Sequence, residues 1–155
     1  MNFLAVETAT DICSVALFFD NKIADIKTST EPKAHSKNLA VFVQEIIRKN
    51  ELSISELDGI AISSGPGSYT GLRIGFSLVK GLIFPYNLPV IMVPILHSME
   101  FSIGVNESHH VAIHSHRDII YAQEFKNGNP VSKIINKPIH ELNGKNLYGY
   151  GLKNR

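Results

Sequence analysis

The sequence predicts an α/β protein made of one lobe and a shortened repeat of it. Three observations carry this. The stretches "NFLAVET", "DICSVALFF" and "KIADIKT" form a meander of three strands, and "HHVAIHSH", "IIYAQEF" and "VSKII" form a second. The first meander continues as helix, strand, helix, strand; the second continues only as a short turn and one strand before the chain ends. An apolar share of 44% is enough for a packed core. The expected lobes are 1–93 and 94–155.

In the first lobe, Asp20 and Asn21 between two strand patterns mark a tight hairpin. "HSKNLAVFVQEIIRKNE" places Leu39, Phe42, Val43, Ile46 and Ile47 at helical spacing, with His35 or Ser36 as its start. Arg48 and Lys49 suit its last turn, where cations oppose the helix dipole. "GIAISS" is a short apolar strand, "TGLRIGFSLVKGLIF" a second helix, "PVIMV" a strand and "PILHSMEFSI" a third helix. In the second lobe "PIHEL" reads as a helical turn and "NLYGYG" as the last strand.

Bulk properties exclude several classes. A formal charge of +1 with no basic run lacks the electrostatic footprint of autonomous nucleic-acid binding. The longest apolar run, "GLIFPYNLPVIMVPIL", is broken by Pro and Asn, so no membrane span is expected. No basic region precedes the first apolar residues, which argues against a secretory signal. The single cysteine, Cys13, excludes an internal disulfide framework. A soluble cytoplasmic protein is the expectation.

The most informative stretch is "SSGPGSYTGLRIG", Ser63 to Gly75. Backbone N–H groups at a strand-to-helix turn face outward, and the helix dipole adds partial positive charge. Gly65, Gly67 and Gly71 permit close backbone approach, while Ser68 and Thr70 supply hydroxyls or a helix cap. No Lys-Ser/Thr pair follows, so this is not a Walker loop, and the spacing is not that of a dinucleotide fingerprint. A ligand-free tight turn with an N-cap is the competing reading. The second helix carries Leu72, Ile74, Phe76, Leu78, Val79, Leu82 and Ile83 around nearly its whole circumference, so both sides need cover. One side fits its own sheet; the other needs the first helix or another chain.

"FLAVETAT", "AHSKNL" and "SSGPGSYTGLRIGFSLVKGL", in that order, closely resemble the TsaB (YeaZ) family, bacterial accessory subunits for making threonylcarbamoyladenosine in tRNA. The resemblance runs from residue 1 to "GYGL". It implies a two-lobed actin/Hsp70/sugar-kinase-like fold of duplicated RNase-H-like lobes, here with a truncated second lobe. It implies a non-catalytic scaffold subunit for a TsaD-like catalytic paralogue that transfers a threonylcarbamoyl group to the adenosine beside the tRNA anticodon. A TsaE-like pathway ATPase is a further implied partner, with tRNA met only through the complex and a homodimer formed when the chain is alone. The family's partner contact falls on the two helices, which marks His35, Leu39, Phe42, Val43 and Ile46, with Leu72, Ile74, Gly75, Leu78 and Leu82. An ATP-dependent or hydrolytic enzyme of the same fold is the alternative.

The superfamily's phosphate site maps onto Glu7, Thr8, Gly65, Gly67, Ser68 and Thr70. Glu7 stands where the TsaB pattern has Asp, and its extra methylene displaces the carboxylate. No tightly bound cofactor is therefore expected, with ATP and Mg only in the assembled complex. No catalytic residue is assigned. A second departure is His114, Ser115 and His116 where the family has Asp-Ala-Arg, with Tyr121 retained. On a regular strand His110, His114 and His116 share one face, while Val111 and Ile113 point to the core. Positions six apart on a strand lie about 20 Å apart, so His110 and His116 cannot share an ion without a bend. His114 and His116 remain weak metal candidates, and no metal is expected. Nor is the helical His-x-x-x-His metal pair of the catalytic paralogue present.

Overall fold

The structure, a computed structural model, describes residues 1–152. It divides into two compact units. The first comprises Met1–Ser64 and Ser68–Val93; the second comprises Gly65–Gly67 and the chain from Pro94 onwards.

The first unit is a five-stranded sheet, β1 (Asn2–Glu7), β2 (Cys13–Phe19), β3 (Lys22–Ser29), β4 (Gly59–Ser63) and β5 (Val90–Val93), in the order β3-β2-β1-β4-β5. β1, β2 and β3 are antiparallel neighbours, whereas β4 and β5 run parallel to β1. Asp20 and Asn21 both have positive φ, 47° and 64°, the backbone a two-residue hairpin of the favoured hand requires. Alternation selects the buried face. Leu4 pairs with Leu17 and Ile60, and Val6 with Val15 and Ile62, so all six side chains point one way. Each is at most 3% exposed.

Two helices cover that face, α1 (Ala34–Lys49) and α2 (Tyr69–Ile83). α1 begins one residue before the expected start. Lys33 takes a left-handed conformation (φ 64°) and no side chain caps the helix. Ser36 instead donates back to the Lys33 carbonyl at 3.0 Å. Lys27–Glu45 (2.7 Å) and Lys49–Asp25 (2.9 Å) tie α1 to β3. Such surface pairs contribute little, about 0–1 kcal/mol each; the buried stripe carries the packing.

The second unit contains α3 (Ile95–Ile103), β6 (His109–His116), β7 (Ile119–Lys126), β8 (Asn129–Pro130), β9 (Ile135–Pro138), a 3-10 turn at Ile139–Leu142, and β10 (Leu147–Tyr150). Gly104, at φ 64°, ends α3 in the usual left-handed cap. The expected strand at "VSKII" is corrected. Ser132 Oγ accepts the Glu124 amide (2.9 Å) and its carbonyl accepts from Gln123 Nε2 (2.9 Å), so the pairing breaks into β8 and β9, both against β7.

The repeat is explicit in the topology. β9-β7-β6-β10 reproduces β3-β2-β1-β4: two antiparallel pairings, then a parallel one. The connection differs. The first unit places the 16-residue α1 between its third and fourth strands; the second has only the four-residue turn. Leu142 of that turn packs with Ala112, Ile120 and Ala122 on one face of the sheet. α3 meets the other face, where His97 contacts Phe125 edge-on at 5.4 Å.

Candidate functional site

β1 ends at Glu7, and the chain turns at once under α2. Glu7 Oε1 accepts the amide of Ala9 at 2.5 Å. Burial raises its pKa, and hydrogen bonds from the Ala9 amide, Ser63 and the Thr10 amide oppose that rise. Its carboxylate thus serves the turn that holds it. Thr8, expected beside the anion loop, is fully buried. A Cβ on Gly71 would lie 2.2 Å from the Thr8 carbonyl oxygen, and one on Gly75 would lie 2.4 Å from Thr8 Oγ1. Both glycines are therefore required by close approach of the helix to this strand end.

Several polar groups of the glycine loop are engaged within the fold. Ser68 caps α2 by accepting from the Gly71 amide at 3.1 Å. The Ser68 amide donates to the Ala9 carbonyl at 2.7 Å, and the Ser64 amide to Val93 at 2.9 Å. Gly65 is buried, with φ 90° and a cis bond to Pro66. Gly67 is half-buried, and Thr70 is exposed. The cation nearest in sequence, Arg73, lies over the Tyr69 ring at 4.2 Å. The arrangement offers a capped helix start and a bracing carboxylate.

The helix surface beside it sorts the ten expected contact residues. Leu39, Val43 and Ile46 are 1%, 4% and 0% exposed and belong to the core of the unit, as does the buried Gly75. Their placement on an outer surface is corrected: the 39–43–46 spacing is the inner stripe of α1. Phe42, Ile74, Leu78 and Leu82 are half-buried at the edge of that core, and His35 and Leu72 are half-buried too. These six are the expected contact residues left with accessible surface.

The histidine strand also departs from expectation. A register shift between His114 and His116 breaks the alternation, so one continuous face does not run from His110 to His116. His110 is buried at 6% exposure; burial first, then the charge of Lys145, lowers its pKa. His114 Nε2 donates to the Arg117 carbonyl at 2.9 Å, and His116 Nδ1 lies 3.0 Å from Ser115 Oγ. Among the described residues no three His, Cys, Asp or Glu side chains gather as metal ligands. No helix among them is long and apolar enough to cross a membrane.

Sequence reasoning missed His109. It is 1% exposed, with Nδ1 donating to the Glu107 carbonyl at 2.8 Å and Nε2 set 2.5 Å from Glu100 Oε2. Burial works against its charged form, but the Glu107 carbonyl and the Glu100 carboxylate outweigh burial and raise its pKa. The available signal was parity: His109 alternates with Val111 and Ile113, the residues expected inside.

Comparisons with known proteins agree with this geometry. The model of the family "TsaD: tRNA N6-adenosine threonylcarbamoyltransferase" matches residues 23–147. The tRNA threonylcarbamoyladenosine biosynthesis protein TsaB of Escherichia coli is 36% identical over 99 residues, covering 64% of this chain. The chain spans 42% of that relative's length. A Pseudomonas aeruginosa structure, described as an uncharacterized protein with similarity to peptidase YEAZ, superposes with a TM-score of 0.77 at 25% identity. It covers 96% of this chain and 74% of that one. The ethanolamine utilization protein EutJ of Carboxydothermus hydrogenoformans, at TM-score 0.53 and 16% identity, covers 89% of this chain and 52% of its own, a likeness of fold alone. The mixed α/β fold is shared with both of these structures. With its repeated meander, its glycine loop and a family model matched over most of its length, the chain belongs to the TsaD-type threonylcarbamoyltransferase family, as a TsaB (YeaZ) member.

Proposed function

We propose that this chain is a non-catalytic scaffold subunit in the biosynthesis of threonylcarbamoyladenosine in tRNA. It supports a TsaD-like partner that carries out the transfer to the adenosine beside the anticodon. The observation that carries the reading is the engagement of the loop's polar groups. Ser68 Oγ holds the Gly71 amide, the Ser68 amide holds Ala9, and Glu7 braces its own turn. A phosphate that used these groups would have to displace bonds that already hold the fold together. Beside them, α1 and α2 keep an apolar rim at Phe42, Ile74, Leu78 and Leu82 that a partner helix can cover. In this reading ATP and Mg act only in the assembled complex, a TsaE-like ATPase joins it, and the isolated chain pairs with itself through the same rim. Its place of work is the cytoplasm, where tRNA is modified.

Co-purification with the tagged TsaD-like paralogue from the same cell, with and without ATP, tests the partnership. Recovery of the paralogue with wild type but not with Leu78→Glu is the expected outcome. The matching family model is described by the transferase activity itself, which favours a second reading, an enzyme of this fold. Turnover by the isolated chain would establish the enzyme; partner-dependent stimulation without intrinsic turnover supports the scaffold.

A further inference from the structure

The outer side of the helix layer in the first unit carries charge of one sign. On α1 the exposed Lys37, Val41, Gln44 and Arg48 have the spacing of a single stripe, opposite the buried 39–43–46 stripe. On α2 the exposed Tyr69, Arg73, Ser77 and Lys80 do the same, opposite the buried Gly71, Gly75 and Val79. Both helices bury their inner stripes on the same sheet face, so both outer stripes look away from it. This is the outside of a layer that already seals its sheet, and the core beneath it is complete without further cover.

Exposed cations are ordinary; their separation from acids is not. α2 contains no carboxylate, and the single one on α1, Glu45, is paired with Lys27 of β3 at 2.7 Å. Glu31 and Glu51 lie in the turns beyond the two ends of α1. Among the described residues none of Lys37, Arg48, Arg73 and Lys80 forms a salt bridge with a carboxylate. Arg73 instead lies over Tyr69. Arg48 and Lys80 oppose the negative ends of their helix dipoles, which leaves their charge in solvent. In a chain with 14 acidic residues and a formal charge of +1, these four cations are segregated onto one helix layer.

We propose that these cations select an acidic partner surface over a second copy of the chain. The inference rests on the scaffold reading, in which α1 and α2 meet the TsaD-like paralogue. It adds what the paralogue presents there: Asp and Glu set around aliphatic side chains that cover Val41, Ile74 and Leu78. A two-fold self-contact brings the same patch against itself. The four cations then face their own copies, which opposes pairing, whereas a carboxylate-bearing surface is attracted and oriented by them. Val41 within its stripe and the half-buried Ile74 and Leu78 beside the other give the charges an aliphatic setting, which suits a protein surface rather than a nucleic-acid backbone.

The test follows two equilibria of the full chain: binding to the purified paralogue by calorimetry, and self-association by analytical ultracentrifugation. Raising NaCl from about 50 to about 500 mM should weaken the hetero-complex about ten-fold and tighten self-association about three-fold. Lys37→Glu/Arg73→Glu places acids near the starts of their helices, where the dipole favours them, so its melting curve should match wild type. The face then holds two cations and two acids. Paralogue binding should fall about thirty-fold while self-association tightens. Lys37→Glu alone, with both shifts smaller, serves if the double variant melts early. Damage to the packing surface would weaken both equilibria together, and that result would overturn the proposal. A hetero-complex indifferent to salt and to both variants would also overturn it and leave the scaffold reading standing. Failure of the wild-type chain to bind the paralogue at all would overturn both. Tight binding of unmodified tRNA by the isolated chain, lost in the double variant, would overturn the proposal too, since the acidic occupant would then be a nucleic acid.

Discussion

Glu100 Oε2 lies 2.5 Å from His109 Nε2 inside the second unit, joining α3 to β6 where each side chain is at most 3% exposed. The imidazole stacks near Phe125 (ring centroids 6.5 Å apart) and meets Tyr148 edge-on at 5.3 Å. Both ring nitrogens face acceptors, so the protonated ring satisfies both, while a neutral ring leaves one contact with the carboxylate unfavourable.

Stability should therefore depend on pH through this pair. Because the folded pKa of His109 is raised, its contribution is complete below the unfolded value of about 6.5 and is lost as pH climbs through the higher folded one. His110, with a lowered pKa, acts with the opposite sign, so the pair is isolated by comparison with His109→Gln. The melting-temperature gap between wild type and that variant should be widest near pH 5.5 and shrink towards pH 8.5. Glu100→Gln should cost about 1–3 kcal/mol in acid. A gap that stays constant across this range would refute the assignment.

Gly71→Ala should destabilise the first unit by about 1–3 kcal/mol through overpacking, partly offset by a helix-propensity gain of about 1 kcal/mol. The obstacle is backbone, the Thr8 carbonyl. Gly75→Ala meets a side-chain hydroxyl instead, so its cost should be smaller and should largely vanish in combination with Thr8→Ala. Urea melts of the two single variants and the double variant measure this coupling directly.

Ile74→Glu and Leu78→Glu place a charge at the half-buried edge of the core. The expected result is a folded chain, native by circular dichroism, that elutes as a monomer and fails to retain the TsaD-like paralogue. Loss of the helical signal in both variants would place these residues in the core rather than at an interface, since an unpaired buried charge unfolds a domain.

Nucleotide should bind the isolated chain with a Kd no tighter than about 100 μM, about −5.5 kcal/mol, and should not be hydrolysed. A triphosphate is well hydrated in water, and the Ser68 and Gly71 groups of the loop must give up existing bonds to replace that hydration. Calorimetry with Mg–ATP reads the affinity. A low-micromolar value abolished by Gly67→Val would identify a working phosphate site and replace the scaffold with the enzyme.

Much of the fold is legible in the residues because it rests on local rules. Asp20–Asn21 specify their hairpin, and the alternation of Leu4 and Val6 specifies a buried face. Ser68 reads as a cap and acts as one. What is not legible depends on partners distant in sequence. The 39–43–46 stripe is visible, but periodicity does not say which neighbour covers it. Lys33 begins α1 through a left-handed backbone with no capping side chain, so the sequence carries no start signal there. The pairing of His109 with Glu100 requires knowing that α3 folds back over β6. Glu7 looks like a ligand because of its strand-end position, yet the amide two residues on claims it.

The split between β8 and β9 has a consequence for life at high concentration. An unbroken outer strand presents a row of free amides and carbonyls that another chain can extend. Here Ser132 interrupts the row, leaving two-residue and four-residue segments, and the exposed Val131 and Ile134 sit in the gap rather than on a continuous ribbon. The interruption leaves no continuous aliphatic strand along this margin for another chain to extend. Ser132→Val would add β-propensity and free the Glu124 amide in a single step, turning a guarded border into an adhesive one.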